Sequence, residues 1–118
     1  MEATPKEAYL YETESGQCPF EEWLESLKDR RGSAKVRARI ARLRAGNLGQ
    51  CESVGQGVME LKIDFGPGYR VYFGQVGHAI VILLCGGDKG TQAKDIRLAQ
   101  GYWADYRRQS HETRKKLS

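Results

Sequence analysis

Across residues 57–95, apolar and polar side chains alternate, and the rest of the chain is arranged around that stretch. In 59–64, Met59, Leu61 and Ile63 fall on one side and Glu60, Lys62 and Asp64 on the other. In 69–73, Tyr69, Val71 and Phe73 oppose Arg70 and Tyr72. A period of two predicts two strands. Phe65-Gly66-Pro67-Gly68 between them is a tight loop, so the strands pair as a hairpin. One face of the hairpin is then core. The other carries Glu60, Lys62, Arg70 and Tyr72 within short cross-strand steps of one another. A third strand, Ala79 to Cys85, is apolar on both faces, as expected in the middle of a sheet. It ends at Gly86-Gly87-Asp88-Lys89-Gly90-Thr91-Gln92, which delivers Asp88 and Lys89.

Elsewhere the period is helical, apart from a short strand predicted at Ala8–Glu12. Phe20, Trp23, Leu24 and Leu27 form one apolar stripe. Pro19 is placed at the first helical position, where its missing N–H has no partner to lose. Trp23 reads as core. Ser33 is placed as the cap of a second helix, from Ala34 to about Ala45, with Val36, Ile40 and Leu43 as its buried stripe. Residues 46–57 read as turn and loop. Thr91 is placed as the cap of a last helix, Gln92 to about Arg108, which buries Ile96, Ala99, Trp103 and Tyr106. The order β-α-α-β-β-β-α predicts an α+β domain, with helices packed on one face of a mainly antiparallel sheet. The face with Glu60, Lys62, Arg70 and Tyr72 is expected to be open.

At 118 residues the chain is expected to be a single domain, 1–118, with a basic tail from about 109 that frays. No apolar run approaches the ~20 residues of a membrane span, and the acidic N-terminus lacks the layout of a secretory signal. A cytoplasmic protein with no membrane partner is the expectation. The three cysteines form no CxxC pair, so free thiols are expected rather than disulfides or a zinc site.

Charge adds a partner class. Residues 1–29 carry a net charge of −6 and the remainder +10. Lys35, Arg37, Arg39, Arg42 and Arg44 make a basic ridge on the second helix. Two readings stand: a solvated face, or an RNA-binding surface touching the phosphate backbone without reading sequence.

The hairpin face suggests chemistry. Arginine offers a fork and lysine a compact charge to a phosphodiester, and both stabilise a pentavalent transition state. RNA carries its own nucleophile, the 2′-OH. Cleavage then needs a base, an acid for the departing 5′-oxygen and cationic stabilisation, with no metal or cofactor. Glu60 is a candidate base. Lys62 or Lys89 is an alternative where neighbouring cations depress its pKa. Tyr72 is placed to stack on an unpaired base or to donate a proton. His78 and His111 form no pair and are not candidates.

ELKIDFGPGYRVYF, then ILLCGGDKGTQAKDI and a Trp/Tyr-bearing helix, resembles the RelE/ParE superfamily of type II toxin–antitoxin toxins. The nearest resemblance is to the HigB-like, phage-derived addiction module killer group. The Gly16–Phe20 entry, Trp23-Leu24 and the arginine-rich helix extend it from about Tyr9 to Tyr106. The resemblance implies a RelE-like fold with a curved sheet. It also implies a metal-independent mRNA endonuclease acting at the ribosome, with Lys62, Arg70 and Lys89 as catalytic candidates and Glu60 and Tyr72 beside them. The implied partners are mRNA, the ribosome and a cognate helix-turn-helix antitoxin, with operator DNA reached only through the antitoxin complex. The alternative is the superfamily's other branch, which inhibits DNA gyrase and cleaves nothing. An inactive relative is a third reading.

Overall fold

The computed structural model describes residues 4–109 and 115–117. The elements run β1 (Glu7–Leu10), α1 (Pro19–Ser26), α2 (Arg30–Arg44), β2 (Cys51–Ser53), β3 (Val58–Ile63), β4 (Tyr69–Val76) and β5 (Ile80–Asp88). A single 3-10 turn (Lys89–Thr91), α3 (Gln92–Arg108) and β6 (Lys115–Lys116) complete the order. The strands form one six-stranded sheet in the order β2-β3-β4-β5-β1-β6. β1 runs parallel to β5, and the other neighbouring pairs are antiparallel. This is an α+β fold with a mixed, mainly antiparallel sheet.

The expectation of helices on one face is corrected. α1 and α2 cover the face bearing Leu61, Ile63, Val71, Phe73 and Leu83. α3 covers the opposite face, burying Val58, Tyr72, Ile82, Leu84 and Cys85. The reason lies in β5, whose two apolar faces both need cover. A bulge adds to this demand. Phe73 pairs with Leu83 and Tyr72 with Cys85, so Leu84 is an extra residue. Leu84 and Cys85 therefore both pack beneath α3.

Two tryptophans seat the helices, each on a glycine. Trp23 of α1 lies on Gly86 and Trp103 of α3 lies on Gly74, so a Cβ at either glycine would collide with an indole ring. Trp103 also stacks on Tyr106, with ring centroids 5.4 Å apart.

Smaller departures have local causes. α2 begins at Arg30 because Asp29, not Ser33, is its cap, accepting a hydrogen bond from the Gly32 N–H at 3.0 Å. Thr91 stands at the cap position of α3, but its side chain makes no capping bond and is engaged elsewhere. β2 lies within the segment expected to be loop; its three residues have no apolar alternation and become a strand only by pairing with β3. Of the tail expected to fray, 110–114 and 118 fall outside the described residues. Lys115–Lys116 pair antiparallel with β1 and cover what would otherwise be a sheet edge.

Candidate functional site

The hairpin register matches the alternation. Lys62 lies directly opposite Arg70, and Glu60 directly opposite Tyr72. Directly opposed residues share a face, with Cβ atoms about 5 Å apart. One row across the sheet is Glu60–Tyr72–Cys85, and the next is Lys62–Arg70–Gly87.

The face is not open along its length. Glu60 is 1% exposed and Tyr72 fully buried, because α3 lies over them. The Tyr72 hydroxyl donates to Glu60 Oε2 at 2.9 Å, and Gln92 Nε2, from the first residue of α3, donates to the same oxygen at 2.8 Å. Burial, then the bond to Glu60, pushes the Tyr72 phenol well above its ordinary value. Tyr72 therefore cannot stack on an unpaired base, and Glu60 is sealed from a substrate hydroxyl. Both expectations are corrected.

Arg70 sits between this buried pair and solvent. Its Nε lies 3.9 Å from Glu60 Oε1. One terminal nitrogen donates to the carbonyls of Gly68 and Tyr69, at 3.1 and 3.3 Å. Nε itself is buried without a hydrogen-bond partner. Lys89 is exposed just past the end of β5. A Cβ built on Gly68 would lie 3.3 Å from the Arg70 guanidinium and 3.4 Å from Lys89 Cβ, so the two side chains flank that glycine. Gly68 adopts φ +82°, a conformation L side chains rarely reach. The Lys62 ammonium is half-exposed and bonded to Glu52 Oε1 at 2.9 Å. Lys62 and Arg70 are thus cross-strand neighbours, and Lys89 starts from the same end of the sheet at Gly68, with Glu60 and Tyr72 behind Arg70.

Gln92 and Asp95 belong to this neighbourhood and are not marked by strand alternation. The Asp95 carboxylate packs on Gly87 and accepts from the Thr91 hydroxyl. Gly87 therefore leaves room for a carboxylate on one face, while Gly86 leaves room for Trp23 on the other. The Thr91–Asp95 spacing of four along the start of α3 is the sequence signal that could have found this contact.

The basic ridge on α2 is two rows rather than one patch. Lys35, Arg39 and Arg42 line a groove of about 660 Å³ between α2 and the end of β3. Arg37 and Arg44 border a smaller, largely apolar cavity of about 250 Å³ with Phe20, Leu24 and Ile40. Arg39 is only 4% exposed, and its guanidinium donates to the carbonyls of Asn47 and Leu48. The expectation that all five cations face a partner is corrected at Arg39, which holds the chain where it leaves α2.

An uncharacterized protein of Haemophilus influenzae is 54% identical over 81 residues, covering 69% of this chain and 82% of that one. The chain belongs to that protein's family. No family model matches the chain, and no solved structure matches it significantly. Among the described residues, no helix is long and apolar enough to cross a membrane.

Proposed function

We propose that this family member is the toxin of a type II toxin–antitoxin module and a metal-independent RNA endonuclease that arrests translation. The proposal rests on the placement of Arg70, side by side with Lys62 across the hairpin and beside Lys89 at Gly68. Three cations at one end of a sheet face suit one phosphodiester. The motif resemblance to the RelE/ParE toxins supports the same reading.

The RNA 2′-OH attacks the adjacent phosphorus, and the bond from phosphorus to the 5′-oxygen breaks. The 2′-OH proton passes to a base, and the departing 5′-oxygen takes a proton from an acid. Arg70 grips the non-bridging oxygens, where charge builds in the transition state. Glu60 holds the guanidinium from behind and is itself held by Tyr72 and Gln92. Glu60 and Tyr72 are positioning residues in this scheme. Lys62 and Lys89 are the groups with access to solvent, and proton transfer falls to them. Lys62 must leave Glu52 to take part.

Induction of the wild-type chain arrests growth and leaves cleaved transcripts. Arg70→Ala and Lys89→Ala each abolish both, with the Lys89→Ala thermal melt unchanged because the side chain is exposed. Intact transcripts accompanied by DNA damage would replace this reading with gyrase inhibition. An arrest that survives both substitutions would remove Arg70 and Lys89 from the chemistry.

A further inference from the structure

The groove between α2 and β3 holds an electrostatic oddity. Arg39 is 4% exposed, and among the described residues no carboxylate lies within ion-pairing distance of it. Its hydrogen-bond partners are neutral carbonyls. A buried guanidinium normally has a counter-charge, since carbonyl dipoles only partly replace its hydration. Burial, then the nearby Arg42 charge, lowers the Arg39 pKa, the direction expected where positive charge is uncompensated. Lys35 and Arg42 add two exposed cations to the same groove, and Asp64 is the acidic residue in its wall.

Phe65 supplies a second kind of contact. It lies half-buried in the groove wall, with the Lys35 ammonium 5.7 Å from its ring centroid. A ring beside cations suits a nucleotide: the base stacks on the aromatic and the phosphate meets the charges. Lys62 also contributes to the wall. It stands next to Arg70 in the sheet, so Lys62 links the groove, on the α2 side, to the catalytic candidates on the α3 side.

We infer that the groove is a subsite for single-stranded RNA, seating one phosphate between Lys35 and Arg42, with the buried Arg39 charge behind them, and the adjoining base against Phe65, with Lys62 between it and the phosphodiester that is cut. The inference rests on the endonuclease reading for its substrate class. It also divides the basic ridge: Lys35 and Arg42 touch the strand, Arg39 adds its charge from beneath, and Arg37 and Arg44 take no part.

The test is a fluorescence-anisotropy titration of the purified chain with a short labelled oligoribonucleotide whose riboses carry 2′-O-methyl groups. Blocking the nucleophile makes the measurement blind to cleavage. Arg42→Ala and Lys35→Ala each weaken binding about five-fold and reduce the slope of log affinity against log salt by about 0.7, as expected when one phosphate is no longer neutralised by the protein. Phe65→Leu weakens binding about ten-fold with the salt slope unchanged. Arg37→Ala leaves affinity and slope as they were. The inference is overturned if Lys35→Ala and Arg42→Ala bind as the parent does, or if the parent does not bind. It is also overturned if an acidic peptide displaces the oligonucleotide from the parent but not from the Arg42→Ala chain. A chain that binds as described and cuts no RNA keeps the subsite and loses the endonuclease; the opposite result loses only the subsite.

Discussion

Glu60 illustrates how little a side chain's charge says about its exposure. The carboxylate accepts from Tyr72 and Gln92 on one oxygen and faces Arg70 with the other. Alternation assigns it to the correct face, and α3 then closes over that face. Tyr72→Phe removes one donor to a buried carboxylate and is expected to cost about 1–3 kcal/mol, read from the urea midpoint. Because Tyr72 never meets substrate in the proposed scheme, growth arrest should persist in that variant wherever it stays folded. A full loss of arrest with an unchanged midpoint would return Tyr72 to the chemistry. Arg39 repeats the lesson: read as one surface cation among five, it is a buried strut for the chain after α2.

At the scale of elements, the glycines separate tertiary from local demands. Gly86 lies under Trp23, while a Cβ at Gly101 in α3 would meet nothing within 4 Å. Gly86→Ala must push an indole off the sheet and is expected to cost about 1–3 kcal/mol. Gly101→Ala removes backbone freedom from the unfolded chain and should stabilise by up to about 1 kcal/mol. Thermal melts of the two variants should therefore shift in opposite directions, and a shared direction would contradict the packing described for α1. α3 itself, Gln92–Arg108, agrees with the helix expected from its apolar stripe. α2 starts earlier than expected because Asp29 both caps it and accepts from the hydroxyl of Tyr69, a residue 40 positions away.

At the scale of the molecule, apolar layers on both sheet faces bury titratable groups that are harmless only while neutral. Burial pushes the Cys85 thiol from 9.0 up to about 12. Burial also raises Tyr11, Tyr69, Tyr72 and Tyr102 above the ordinary phenol value, with neighbouring carboxylates assisting. The folded chain thus holds these protons more tightly than the unfolded chain does. Their contribution to stability is complete below about pH 9, where the unfolded thiol still keeps its proton. It is lost as pH rises through the folded values. The urea midpoint should fall steadily from pH 9 upward, with phenolate absorbance appearing together with unfolding. A midpoint flat across that range would mean these groups are not shielded as described.

Helical stripes and strand alternation are local properties, set by which side chains cannot face water, and they can be read in order along the chain. They determined α1, α3, the β3–β4 hairpin and its faces, and the central place of β5. They also placed Lys62, Arg70, Glu60 and Tyr72 on one face. What they do not contain is which surface covers which, because that depends on contacts between residues far apart in the chain. Only packing decided that α3 closes over Glu60 and Tyr72, that Arg39 turns inward to hold the chain after α2, and that β2 and β6 become strands by borrowing a partner's hydrogen bonds. The same packing brings Lys89 beside Arg70 at Gly68, a meeting between the end of one strand and the start of another that periodicity does not encode.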